Sequence, residues 1–247
     1  MKLAASCLQL DVGNSGTKWR LLAQGRVVLR GTYRPADDLS RDALLNSAPA
    51  VHQIWIASVA GAEAEHALAD MLARRWGVQP WFARSTARCG PVYNSYREPE
   101  RMGVDRWLAM LAAWRRVQGR VCVVDAGSAL TVDLLSDSGH HEGGYIIPGP
   151  TLMERALLLD TERVRFAEEA AYALTPGSST AEAVRHGIAL AQAGALALAM
   201  DRAGVGPAQL VFCGGWGETL RQLLDRGGEY LPDLVFEGLE IQAAELG

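Results

Sequence analysis

Residues 7–12 alternate and then run apolar into Asp11-Val12-Gly13-Asn14-Ser15-Gly16, the pattern of a strand that ends in a polar turn. Two more strands are expected at 18–23 and 26–33, joined at Gln24-Gly25. A helix follows at 36–47, a strand at 53–59, a helix at 63–76 and a short strand at 79–82. Residues 88–102 carry Pro91, Asn94, Ser95 and Pro99, which predicts a long loop of a length that is often functional. Trp107, Leu108, Leu111, Ala112 and Trp114 then set an apolar stripe on a helix over 105–118.

The pattern then begins again. A strand at 120–125 ends in Asp125-Ala126-Gly127-Ser128, and strands at 130–135 and 144–147 follow. Pro148-Gly149-Pro150 stops the chain before a helix at 151–159. The rest reads as a long Ala-rich helix at 178–202, a strand at 209–213, a helix at 218–225, a last strand at 233–237 and a terminal helix. The recurring device is a strand, Asp-x-Gly, Asn or Ser with Thr, and a second strand, repeated about 114 residues on, far beyond any solenoid period. Alternating strands and helices imply an α/β chain. The duplication implies two related halves, 1–117 and 118–247, each a mixed sheet with helices, around a central cleft.

Composition narrows the partners. The net charge of −4 supplies no global field for nucleic acid or an anionic membrane, so an anionic substrate needs a local cluster of donors. Lysine occurs only at Lys2 and Lys18. Arg115-Arg116, with Arg120 nearby, reads as a solvated helix end. Cys7, Cys89, Cys122 and Cys213 are widely spaced, as expected of reduced cysteines packed as small hydrophobes in the cytoplasm. The apolar run after Lys2 is too short for a signal peptide. The low-polarity run 187–200 falls short of the roughly 20 residues of a membrane span and reads as a buried helix.

The two turns carry the candidate chemistry. Gly13 and Gly16 let the backbone approach a ligand and present N–H groups, while Asn14, Ser15 and Thr17 add side-chain donors. Lys18 adds a point charge suited to phosphate, and Asp11 suits a cation or water bridging to phosphate. Asp125, Gly127, Ser128 and Thr131 repeat that logic, so two such loops suit a polyphosphate. A P-loop pattern is absent, and no G-x-G-x-x-G follows the first strand. Gly214 and Gly215, between a strand and a helix, leave room for a ring or ribose. Asp105, at a helix start beside Arg106, is either a simple cap or a base for a hydroxyl. His140-His141-Glu142 reads as a solvent-exposed turn, and no G-x-S-x-G marks a serine nucleophile.

In order along the chain stand the Asp11–Lys18 turn, Asn94-x-Tyr96-x-x-Pro99, Gly103-Val104-Asp105-Arg106 and the Asp125–Thr131 turn. Gly143-Gly144-Tyr145-Ile146-Ile147-Pro148-Gly149, Ser179-Thr180-Ala181-Glu182-Ala183 and Gly214-Gly215 follow. Together they resemble type III pantothenate kinase, of the superfamily that includes acetate kinase, sugar kinases and actin. The resemblance implies two duplicated actin-like (ribonuclease H-like) halves and transfer of the ATP γ-phosphoryl group to pantothenate, the first step of coenzyme A biosynthesis. It implies Asp11, Gly13, Asn14, Ser15, Gly16, Thr17 and Lys18 as the first phosphate loop, and Ser128, Thr131, Gly214 and Gly215 as further ATP contacts. Asp105 would be the general base, with Gly103, Val104, Arg106, Tyr96 and Thr180 at pantothenate. Asp125 would hold a monovalent cation, K⁺ or NH₄⁺, beside Mg²⁺. A cytoplasmic homodimer is implied, with Thr180 serving the neighbouring subunit's site. Ser15 and Ser128 stand where the family more often has Thr, Ser179 where it has Asn, and Cys213 where it has Thr. A family-like accessory factor for transcription and a kinase for another small alcohol are the other readings.

Overall fold

The computed structural model describes residues 6–161, 164–202 and 209–245; the Lys2 segment therefore begins outside the described residues. In chain order the elements are β1 (Ser6–Gly13), β2 (Gly16–Ala23), β3 (Arg26–Tyr33), α1 (Asp38–Leu45), β4 (Gln53–Ser58), α2 (Ala62–Trp76) and β5 (Trp81–Phe82). Then come β6 (Arg88–Cys89), β7 (Val92–Tyr93), a 3₁₀ turn (Pro99–Arg101), α3 (Val104–Val117), β8 (Val121–Ala126), β9 (Ala129–Leu135) and β10 (His141–Pro148). The chain continues through α4 (Pro150–Asp160), α5 (Thr180–Arg202), β11 (Gln209–Cys213), α6 (Gly217–Leu224), β12 (Glu229–Tyr230) and α7 (Leu234–Glu245). It forms two compact units: Met1–Gly90, Tyr96–Ala112 and Val235–Gly247 in the first, Pro91–Ser95 and Ala113–Leu234 in the second.

The first unit holds a five-stranded sheet in the order β3-β2-β1-β4-β5, the second one in the order β10-β9-β8-β11-β12. Counted from its own first strand, each sheet has the same order. In both, the first strand pairs antiparallel with the second and parallel with the strand that follows a helical crossover. The duplicated strand–turn–strand device is thus the centre of two duplicated mixed sheets.

Central strands are covered on both faces, which parallel pairing favours. In β1, Cys7, Leu8, Gln9 and Leu10 are buried in succession, and Leu8 and Leu10 join Ile54, Ile56, Leu68 and Leu72 in one core. Gln9 is polar but satisfied: Arg20 Nε donates to its Oε1 at 2.7 Å, and its own Nε2 donates to Glu240 at 3.2 Å. The second core gathers Cys122, Val124, Leu130, Val132, Leu196 and Phe212. All four cysteines are buried and none forms a disulfide among the described residues. Burial pushes the thiols of Cys7 and Cys122 up to about 12.

Several boundaries shift for local reasons. The helix expected from residue 36 starts at Asp38, because the Asp37 side chain caps it by accepting from Leu39 N at 3.1 Å. The long helix starts at Thr180, where Glu182 reaches back to Ser178 N (2.7 Å) and Ser179 Oγ accepts from Glu182 N (3.2 Å). Hydrogen bonds from the Ser178 backbone N–H and hydroxyl hold the Glu182 carboxyl below its usual range. Of residues 233–237, expected as a strand, Asp233 lies in a turn and the other four open α7 instead. Their buried Leu234, Val235 and Phe236 continue to Leu239 and Gln242 at helical spacing, and a short apolar run alone cannot separate the two readings.

Candidate active site

In the first unit, β1 and β2 pair Asp11 with Lys18, Val12 with Thr17 and Gly13 with Gly16, leaving Asn14-Ser15 as the two-residue tip. Directly opposed residues of an antiparallel pair share a face, so the carboxylate and the ammonium of Asp11 and Lys18 emerge on one side of the hairpin. Gly13, Asn14, Ser15 and Lys18 are exposed, whereas Thr17 is only 4% exposed. Thr17 therefore supports the hairpin from its buried face. Gly16 takes φ +149°, and a Cβ there would lie 3.7 Å from the Arg34 side chain. Arg34 is an exposed cation beside this turn that sequence reasoning did not single out; its only signal is its position directly after β3.

The start of α3 belongs to the same unit. Asp105 Oδ1 accepts from Arg106 N at 2.8 Å, so the carboxylate folds back over the first turn. A Cβ on Gly103 would come 2.6 Å from that same oxygen, which makes glycine a steric requirement for this carboxylate position. Arg106 is 4% exposed, donates from Nη1 to Tyr96 Oη at 2.8 Å and lies over the Tyr96 ring at 5.7 Å. Tyr96 and Arg106 thus form one hydrogen-bonded pair beside Asp105, with Val104 buried in the same helix turn.

The second unit assembles three glycine turns around Asp125. Asp125 is the penultimate residue of β8, with Thr131 opposite on β9 and Cys213 beside it on β11. Gly214 has φ +81°, and a Cβ there would overlap both Asp125 Oδ1 and the Ala126 carbonyl. Two oxygens therefore pack so closely against Gly214 that only glycine fits there. Trp216 N donates to Ala126 O at 2.9 Å, and Tyr230 Oη donates to Gly214 O at 3.0 Å. Gly149, at the head of α4, donates to Ser128 O at 3.0 Å; a Cβ there would sit 2.5 Å from Gly127 O. Gly215 faces open space. Asp125, Ser128, Thr131, Gly214 and Gly215 are accordingly neighbours in one cradle of the second unit. Thr180 lies at the N-terminus of α5, on a groove of 870 Å³ between α4 and α5 that is lined chiefly by apolar side chains.

Among the described residues no three His, Cys, Asp or Glu side chains cluster as metal ligands. A magnesium ion bound mainly through phosphate oxygens and water needs only one or two carboxylates, a donor type that Asp11 offers at its turn. Asp125, a carboxylate near the end of β8, is the kind of oxygen donor that a hard cation takes.

His141 departs from the exposed turn expected at 140–142. It is 4% exposed, with Nε2 3.0 Å from Asp133 Oδ1 and Nδ1 2.9 Å from Ser95 Oγ. A bulge at Glu142, with Gly143 at φ +125°, separates the register of His141 from the rest of β10. Side-chain alternation did place His140 and His141 on opposite faces, but nothing in the local pattern marks which face is covered.

The sequence profile of type III pantothenate kinase matches residues 7–202. A type III pantothenate kinase of Ectopseudomonas mendocina is 38% identical over 242 residues, covering 95% of this chain and 97% of the relative. Among solved structures, a Campylobacter jejuni protein described as a Baf family transcriptional activator superposes with a TM-score of 0.61 at 23% identity, covering 97% of this chain and 98% of that one. MreB 5 of Spiroplasma citri bound to AMPPNP gives a TM-score of 0.53 at 10% identity, with 96% of both chains covered. The two structural likenesses speak to fold alone, and that fold is the duplicated actin-like one of two mixed sheets. With its profile match and its near full-length identity to a relative of that name, the chain belongs to the type III pantothenate kinase family.

Proposed function

We propose that this protein transfers the γ-phosphoryl group of ATP to the primary hydroxyl of pantothenate, giving 4'-phosphopantothenate and ADP, the first step towards coenzyme A. The observation that carries the residue assignments is the cradle at Asp125 and Gly214 in the second unit, paired with the Asp11/Lys18 hairpin and the Asp105 helix start in the first. Phosphoryl transfer asks chiefly for alignment and charge neutralisation, and these residue types supply both.

In this reading the exposed N–H groups and side chains of Gly13, Asn14, Ser15 and Gly16, with Lys18, receive phosphate oxygens. Thr17 holds that turn from beneath. Ser128, Thr131, Gly214 and Gly215 take the nucleotide from the second unit. Asp105 accepts the hydroxyl proton as the new P–O bond forms and the Pγ–O bond to ADP breaks. Arg106, paired with Tyr96, meets the pantothenate carboxylate as a charge-assisted donor. Asp11 and Asp125 would hold Mg²⁺ and K⁺ or NH₄⁺ respectively, ions that offset the negative charge of the phosphates. The exposed Leu152 and Leu157 in the groove between α4 and α5, with exposed Leu159, Leu190 and Leu198 elsewhere on those helices, support a homodimer through α4 and α5. α5 is long and apolar enough to cross a membrane; we assign it instead to that interface, in a cytoplasmic protein.

The test is a coupled assay of ADP release with ATP, Mg²⁺ and K⁺, run with pantothenate and with a panel of other small alcohols. Release that depends on pantothenate alone is expected. Release with another alcohol but not with pantothenate would reassign the substrate, and inactivity with all would point to a non-catalytic role.

A further inference from the structure

The segment before Tyr96 is fastened to the turn between β9 and β10 at three points. Tyr93 N donates to Gly139 O at 2.9 Å, and the Tyr93 ring stacks on His140 at 4.5 Å and 4°. Ser95 Oγ meets His141 Nδ1 at 2.9 Å. Gly139 has φ +82°, and a Cβ there would sit 2.5 Å from Pro91 O, so the two strands approach as closely as backbone allows. The third fastening is backed by a buried carboxylate. Asp133, 1% exposed, lies 3.0 Å from His141 Nε2.

Chemistry sets the direction of this chain. An ionised Asp133 only accepts, so His141 Nε2–H donates to it, which fixes the ring and leaves Nδ1 turned to the Ser95 hydroxyl. Burying a carboxylate and an imidazole is costly unless both are paired. The fold bears that cost to orient one exposed serine directly before the residue assigned to the acceptor substrate. We propose that His141, held by Asp133, is a positioning residue that acts through Ser95 to set the loop carrying Tyr96 for pantothenate. No group of the chain is asked to react, and Ser95 keeps its proton. The proposal rests on the pantothenate kinase reading.

Ser95 is the variant of choice because it is exposed, whereas changes at His141 or Asp133 open the core. In S95A the KM for pantothenate should rise about 3- to 10-fold, the scale of one lost hydrogen bond. The kcat and the KM for ATP should stay within about twofold, and S95T, which keeps the hydroxyl, should restore the KM for pantothenate. Amide hydrogen exchange across 93–97 should be faster in S95A than in wild type. An unchanged KM for pantothenate in S95A, or a fall in kcat that S95T does not repair, would overturn the proposal. If wild type leaves pantothenate untouched, the kinase reading fails and this positioning role fails with it. Hydrogen exchange would then report on the Ser95 fastening alone.

Discussion

Gly214 is the residue on which the second-unit cradle turns. Its φ of +81° disfavours any side chain, and a Cβ would overlap Asp125 Oδ1 and Ala126 O. Gly214→Ala should cost about 1–3 kcal/mol of stability, a fall in Tm on the order of 3–10 °C, and should raise the KM for ATP. Scanning calorimetry with steady-state kinetics checks both; an unshifted Tm would mean that the backbone relaxes there freely. The cysteines give a second prediction at this scale. With folded-state values near 12 for Cys7 and Cys122, against ordinary values near 9, both thiols stay protonated at pH 8. Because the folded values are raised, their effect on stability is felt as pH climbs from about 9 towards 12, where native stability declines. At pH 8 the native protein should leave both thiols unalkylated by iodoacetamide, while the urea-unfolded chain reacts; mass spectrometry distinguishes the two.

The elements were largely legible in the sequence, and the exceptions share a cause. Strand β1 could be placed because its apolar run stops at Asp11 and a Gly/Asn/Ser turn, and α3 because its stripe repeats at helical spacing. Residues 233–237 could not, since Leu, Val and Phe in succession suit a strand or a buried helix equally, and packing within the first unit decides. There the helix form brings Gly238 against the Leu108 backbone and Glu240 within 2.7 Å of Arg20. For the candidate site, residue types and spacing identified the acids, the lysine and the glycine turns. They could not reveal that Thr17 points inward, that Gly149 backs onto Ser128, or that His141 is buried against Asp133. Those facts depend on contacts between segments distant in sequence. The α4–α5 face, with its groove and exposed leucines, carries this scale's prediction: light scattering should give twice the 26.6 kDa chain mass. Leu190→Glu, at a side chain 59% exposed in the single chain, should yield monomer with its secondary structure intact. A wild-type monomer would remove that face from the assembly.

For the whole molecule, two sheets of one topology each present an acid near the end of the corresponding strand, Asp11 on β1 and Asp125 on β8. Duplication explains why acid-tipped turns come as a pair, at Asp11 and Asp125, whereas residues 96 and 103–106, proposed for the acceptor, have no repeated counterpart. The account therefore assigns nucleotide handling to a repeated device and substrate choice to a unique insertion. Asp105 is where the two assignments meet chemically. The most direct measurement is pantothenate-dependent ADP release by wild type and by D105N, in the presence of Mg²⁺ and K⁺, with Tm recorded for each. The account predicts release by wild type only when pantothenate is present. It predicts a loss of about 10²–10⁴-fold in D105N, at a Tm within a few degrees of wild type. Near-normal turnover by D105N, or wild-type ADP release indifferent to pantothenate, would contradict it.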